Sequence, residues 1–189
     1  YSFHTITSMF FLGIGLQYVT TMLTDAIGAL RPDLITAYHA QMSSQGYDDL
    51  SLLLLVYSVI LAPVIEETVF RGLVFRYARH AMPFWFANIL QAALFGFVHM
   101  NLVQGIYAFA MGLFLGWVCR RGHGIKYSIP VHIVFNIIGC FFSGLIQISL
   151  TLSYPLFAGL GIMLTIFALW LFYTDFQTAD QSKSNAHET

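Results

Sequence analysis

The chain has 189 residues, of which 58% are hydrophobic, 16% are aromatic and only 9% are charged, with a formal net charge of −1. Such a small share of charged residues excludes an ordinary water-soluble globular domain, and the near-zero net charge gives no reason to expect a nucleic-acid partner. The composition predicts an all-α protein embedded in a lipid bilayer.

Apolar stretches long enough to span a membrane recur along the chain. A spanning helix needs about 20 mostly apolar residues. Such stretches occupy residues 5–24, 50–77, two segments within 81–119 that turn near His99, 129–148 and 152–173. We therefore predict a polytopic bundle of about six transmembrane helices that forms a single domain over residues 1–174. The polar tail, residues 175–189, is expected to be disordered.

Basic residues are concentrated on one side of these predicted spans, at Arg76, Arg79, Arg120, Arg121, Lys126 and Lys183. Arg31 alone lies on the other side, within a 25–49 loop that carries four aspartates. The positive-inside rule then places both termini, the 78–83 turn and the 120–127 loop in the cytoplasm, with the 25–49 loop outside. We expect a multi-pass protein of the bacterial plasma membrane.

Glu66 and Glu67 lie side by side in one of the apolar stretches. Ionisable residues in a span are costly, by about 2.5–3.5 kcal/mol on insertion scales, and mark functional sites by default. Arg71 follows Glu67 by four residues, so the two share a helix face and are predicted to form an ion pair. Glu66 points to a different face and is free for chemistry. The alternative is that both glutamates only stabilise helix packing.

Two histidines and an asparagine are candidates to join Glu66. An antiparallel hairpin places His99 within about one helical turn of the depth of Glu66. His132 and Asn136 are four residues apart on one face, and their alternative role is an interhelical hydrogen bond. His132 lies shallower by residue count, with Pro130 in the first turn of its helix. Either the 121–130 loop dips into the protein or the helix tilts, and a convergent site would lie nearer the cytoplasmic face.

These groups suit the addition of water to a peptide carbonyl. Glu66 and His99 would hold and deprotonate the water, and His132 and Asn136 would donate hydrogen bonds to the developing oxyanion. The chain has no GxSxG or HExxH motif and no GxGD-type aspartate pattern, which argues against other intramembrane protease chemistries.

Three ordered motifs carry a family resemblance. The EExxxR motif of residues 66–71, the FxxxH motif of 95–99 and the HxxxN motif of 132–136 together resemble the CPBP superfamily, which comprises type II CAAX prenyl endopeptidases and bacterial Abi proteins. The resemblance covers residues 50–140. It implies that Glu66 is the base, His99 its water-activating partner, and His132 and Asn136 the oxyanion donors, with Glu67 and Arg71 as the supporting pair.

The resemblance also implies a hydrophobic or lipid-modified peptide substrate, entering from the membrane or the cytoplasmic side, and a link to bacteriocin immunity. We expect no cofactor. Zinc held by Glu66, His99 and His132 is the less favoured alternative, since Asn136 is a poor zinc ligand. The alternative functions are a non-catalytic scaffold that binds a sensor kinase or peptide, and a proton-coupled transporter. No inverted repeat supports the transporter.

Overall fold

The protein is a bundle of helices. The computed structural model describes the backbone of residues 1–187 and the side chains of residues 1–177, and all regular structure in that part of the chain is helical. This confirms the predicted all-α membrane fold. The helices are α1 (Phe3–Leu30), α2 (Pro32–Ser44), α3 (Leu52–Ala81), α4 (Phe84–Phe97), α5 (Leu102–Arg121), α6 (Ile125–Leu152) and α7 (Tyr154–His187).

Five helices are long and apolar enough to cross a membrane, namely α1, α3, α5, α6 and the Tyr154–Gln177 part of α7. Helix α4 has 14 residues, which gives a length of about 21 Å, short of a full span. The described chain therefore has five helices long enough to span a membrane and two shorter ones, α2 and α4, where the sequence predicted about six spans. The predicted turns before Phe84 and around His99 are both present.

Two segments differ from the sequence expectations. The 25–49 region was predicted as a loop but contains α2, whose Pro32 occupies the first helical turn, where its missing N–H costs nothing. Helix α7 continues to His187 although a disordered tail was predicted from residue 175. Residues 188 and 189 of that tail lie outside the described residues.

The core lies between α1, α5, α6 and α7, with α3 and α4 packed on one side. Its largest fully buried apolar side chains are Leu12, Leu16, Phe95, Leu115 and Phe172. Because lipid is as apolar as these side chains, close packing and interhelical hydrogen bonds hold such a bundle together.

Helices α4 and α5 form a closely packed antiparallel hairpin. A Cβ atom added to Gly96 would lie 2.5 Å from the carbonyl oxygen of Gly105, so the two backbones touch where only glycine fits. Gln91 and Asn88, both fully buried, donate side-chain hydrogen bonds to backbone carbonyls of α5 at 2.8 and 3.0 Å. The hairpin therefore presents the turn that follows α4 at a fixed position.

Candidate active site

A cavity of about 650 Å³ inside the bundle brings together the four side chains predicted to do chemistry. Glu66 comes from the middle of α3 and His99 from the turn between α4 and α5. His132 and Asn136 come from α6. The structure thus unites residues separated by up to 70 positions in the sequence.

The start of α6 explains how His132 reaches the depth of Glu66. Ile125, the first residue of α6, packs 3.8 Å from where a Cβ on Gly72 of α3 would lie. Gly72 is about 9 Å along α3 from Glu66, and His132 is about 10 Å along α6 from Ile125. Since the two helices are antiparallel, these offsets place the two side chains side by side. The loop before α6 therefore dips into the protein, one of the two arrangements that the sequence left open.

The carbonyl of Lys126, in the first turn of α6, is bonded by a side chain from the N-terminus. Helix α6 begins at Ile125, so Pro130 lies inside the helix and not in its first turn as predicted. Proline has no N–H to donate to the carbonyl four residues earlier. That carbonyl, of Lys126, accepts a hydrogen bond from the Tyr1 hydroxyl at 2.8 Å.

Glu67 and Arg71 form the predicted ion pair, and the structure confirms it. Arg71 Nη1 lies 2.9 Å from Glu67 Oε1, and both side chains are fully buried. The guanidinium of Arg71 also stacks on the ring of Phe95, 4.4 Å from its centre. A buried carboxylate needs such a partner, because an unpaired charge in the protein interior is costly. Glu67 is thereby held away from the cavity.

Glu66 is the accessible member of the glutamate pair. Its side chain is 28% exposed and lines the cavity, in contrast to the fully buried Glu67. Glu66 Oε2 lies 3.5 Å from Nε2 of His132. This arrangement matches the prediction that the two adjacent glutamates point to different faces of α3.

His132 bridges the two glutamates. Its Nδ1 lies 3.0 Å from Glu67 Oε1, and the ionised carboxylate can only accept, so Nδ1 carries a proton. Its Nε2 faces Glu66. The two carboxylates and Arg71 together carry one formal negative charge beside this imidazole.

His99 is oriented by the end of α4. Its Nδ1 lies 2.7 Å from the backbone oxygen of Phe95, which can only accept, so Nδ1 donates. Nε2 of a neutral ring is then an acceptor. The ring of Phe95 packs edge-on against both His99 and His132. His132 is the imidazole that contacts Glu66 directly, and the prediction that Glu66 and His99 hold a water molecule between them stays a prediction.

Asn136 is anchored by an irregularity in α3 that the apolar pattern did not reveal. Residues Tyr57–Leu61 have π-helical hydrogen bonding, and the N–H of Ala62 donates to the carbonyl of Tyr57. In that register the next donor, to Ser58, would be residue 63, which is proline and has no N–H. The freed Ser58 carbonyl accepts a hydrogen bond from Asn136 Nδ2 at 2.7 Å. Segments of π-helix are frequent at functional sites.

The zinc alternative can be compared with this arrangement. Among the side chains that the structure describes, no group of three His, Cys, Asp or Glu residues has the geometry of a metal site. The nitrogen of His132 that a metal at the cavity would need already faces Glu66. The absence of cofactor therefore stays a prediction, for which a chelator is the test.

Comparison with known proteins finds a family whose model resembles the middle part of the chain. Residues 48–138 match the model of the family described as "Type II CAAX prenyl endopeptidase Rce1-like". The match begins just before α3 and ends within α6, so it contains every residue of the candidate site.

A curated protein is also similar to part of the chain. The chain is 30% identical over 84 residues to "Putative membrane peptidase YdiL" of Bacillus subtilis (strain 168). The aligned part is 44% of this chain and 34% of that protein, so the chain spans about a third of the length of the relative it matches. No solved structure matches the chain.

Proposed function

We propose that the protein is an intramembrane endopeptidase that hydrolyses a peptide bond with a water molecule activated by Glu66. One observation carries this proposal. Of two adjacent glutamates inside the bundle, Arg71 neutralises the buried Glu67, whereas Glu66 faces a cavity that His99 and His132 also line. A carboxylate that is free at such a site is suited to act as a general base.

The proposed reaction begins with a water molecule between Glu66 and His99. The water oxygen attacks the carbonyl carbon of the substrate while the carboxylate of Glu66 takes one of its protons. The carbonyl π electrons move to oxygen and give a tetrahedral oxyanion. His99, whose Nε2 is an acceptor, orients the water through its second hydrogen.

The oxyanion needs donors, which His132 and Asn136 supply in this proposal. His132 donates from Nε2 when its imidazole carries a proton there, and Glu66 in its ionised form acts as the base. Asn136 has a second N–H beyond the one bonded to the Ser58 carbonyl. Donors aimed at the developing charge in a site that excludes bulk water contribute about 2.7–4 kcal/mol each in a well-studied protease.

Collapse of the intermediate completes the cycle. The C–N bond breaks, the amine leaving group takes the proton from Glu66, and the acyl part leaves as a carboxylic acid that ionises. Glu66 returns to the carboxylate form, and no metal or other cofactor takes part in this scheme. The name of the matched family favours a hydrophobic or lipid-modified peptide as substrate.

The experiment is mass spectrometry of peptides incubated with the purified protein in detergent. Glu66→Gln keeps the shape of the side chain but removes the base, so cleavage should fall by at least about 10²-fold. Thr68→Val is the matched control, because Thr68 lies on the same helix but is exposed outside the cavity. Its cleavage rate should equal that of the wild type.

Each other result has a definite meaning. Cleavage by Glu66→Gln at the wild-type rate would refute the role of Glu66. Loss of wild-type cleavage in the presence of a chelator would favour the zinc alternative. A folded wild-type protein that cleaves no peptide would favour the non-catalytic scaffold.

A further inference from the structure

The cavity extends from Glu66 towards one end of the helix bundle. From Glu66 its wall continues along α6 through Asn136 and Gly139 to Ser143, away from the start of that helix. Along α3 it continues back through Ser58 to Tyr57, away from the end of that helix. From the level of Glu66 and His132, the two walls rise by about 13–17 Å in the same sense, towards α2. We call the part of the cavity between Glu66 and α2 the vestibule.

The roof of the vestibule is α2 and the segment that follows it. Three side-chain hydrogen bonds tie this roof to the rest of the site. They join Tyr38 to Tyr107 of α5 at 3.4 Å, Tyr47 to Ser58 of α3 at 2.9 Å, and Asn101 beside His99 to Gln41 at 2.8 Å. No side chain of α2 is buried, and residues such as His39 and Gln45 line the cavity while exposed at its mouth.

The opposite end of the cavity is closed. Behind Glu66 lie the buried Glu67–Arg71 pair and the side chains of Phe70, Phe95 and Val131, all less than a tenth exposed. Among the described side chains, none from the turn at 76–83 or the loop at 120–127 lines the cavity. The cavity therefore opens away from the turn at 76–83 and the loop at 120–127, whereas the expected depth of the site stays a prediction.

The two faces of the bundle differ in charge. The closed face carries the basic residues Arg76, Arg79, Arg120, Arg121 and Lys126. On the vestibule face, the single basic residue Arg31 is bonded to Asp33 at 2.6 and 2.9 Å, and this hydrogen bond lowers the pKa of the Asp33 carboxyl. Asp25, Asp48 and Asp49 add further negative charge to this face. By the positive-inside rule, the vestibule face is the non-cytoplasmic one.

We infer that the active site is reached from the non-cytoplasmic side of the membrane, through the vestibule. This inference has a consequence for the substrate that rests on the proposed function. The substrate is a peptide segment exposed at the outer surface, not the cytoplasmic C-terminus of a lipidated protein. The lining suits such a segment, since threonine, tyrosine and glutamine side chains predominate between Glu66 and the mouth and can bond an extended peptide backbone.

Cysteine labelling tests the direction of access without depending on activity. In a background with Cys119→Ala and Cys140→Ser, His39→Cys and Gln45→Cys report on the vestibule mouth. His123→Cys is the matched control, because His123 is also exposed but lies between α5 and α6 on the opposite face. A membrane-impermeant maleimide should label positions 39 and 45 in intact cells, and position 123 only after permeabilisation.

A second arm of the experiment supplies an impermeant substrate peptide to intact cells and should yield cleaved peptide in the medium. Labelling of position 123 but not of 39 or 45 in intact cells would overturn the inference, as would labelling of all three. If the labelling is as expected but the purified protein cleaves no peptide, the proposed function fails while the direction of access stands. Cleavage by purified protein but never by intact cells would overturn the inference.

Discussion

The buried Glu67–Arg71 pair supports the sharpest prediction about stability. At the observed 2.9 Å, and with an effective dielectric constant of about 20, two unit charges attract by about 6 kcal/mol. Breaking a buried pair by removing one partner typically costs about 3–5 kcal/mol, because a charge is left uncompensated. His132 also touches Glu67 and can offset part of the loss, so we expect a value near 3 kcal/mol for Arg71→Met.

A double-mutant cycle measures this coupling. Arg71→Met and Glu67→Gln should each destabilise the protein strongly, and the double variant should be much more stable than the sum of the two effects implies. The Gln side chain keeps an oxygen that can accept the bond from His132. The assay is reversible unfolding of the protein in mixed detergent micelles, followed by circular dichroism.

The exposed pair of Arg31 and Asp33 is the matched control. It has the same chemistry at a shorter distance, 2.6 Å, but both side chains are 61% exposed. Solvent screens exposed pairs, so the corresponding cycle should show no measurable coupling. Additive effects of the two buried substitutions, or equal coupling in the two cycles, would refute the reasoning that burial makes the Glu67–Arg71 pair strong.

Three further predictions concern the backbone of the bundle. Gly116→Ala should destabilise the protein by about 1–3 kcal/mol in the same assay, because the added Cβ would overlap a buried amide side chain of α4. Gly144→Ala is the control and should not destabilise the protein, because the space around Gly144 is open. Equal effects of the two substitutions would contradict this prediction. Asn101→Ala should lower the free energy of unfolding by about 1 kcal/mol, because the Asn101 side chain caps α5. Asn101→Ser should keep most of the wild-type stability, since serine also caps helices. An equal loss of stability in both variants would argue against the cap. Pro63→Ala supplies a backbone N–H that competes with Asn136 for the Ser58 carbonyl, so peptide cleavage should fall several-fold while the stability of the protein is unchanged. Unaltered cleavage would count against the proposed anchoring of Asn136.

The sequence predicted the local features of the site well. The Glu67–Arg71 pair follows from a spacing of four residues, and the separate direction of Glu66 follows from helical geometry, so neither depends on how the helices pack. Turns at Met82 and His99 were signalled by local residue types and by the lengths of the apolar runs. The all-α membrane fold follows from composition alone.

The partner of Glu66 was harder to predict. Counting residues along the helices placed His99 within about one turn of the depth of Glu66 and placed His132 shallower, so the count favoured His99. His99 falls in the turn just beyond α4, where the Phe95 carbonyl orients it. His132 reaches Glu66 because Ile125, the first residue of α6, packs against Gly72 in the middle of α3. That packing involves contacts between distant segments, which periodicity does not encode.

The anchor of Asn136 and the vestibule roof were also missed for physical reasons. The free carbonyl of Ser58 depends on a π-helical register that ends at Pro63, and apolar spacing does not distinguish this register from an α-helix. Helix α2 has no buried side chain, so its residues show no apolar face that would mark it as part of the site.

The role of Glu66 is tested most directly by one turnover in water enriched in ¹⁸O, with excess purified protein over peptide. If Glu66 activates water, the wild-type product carries one ¹⁸O atom in its new carboxyl group from the first turnover, and Glu66→Gln yields no product on that time scale. A first-turnover product without label, or labelled product from Glu66→Gln at the wild-type rate, would contradict the account.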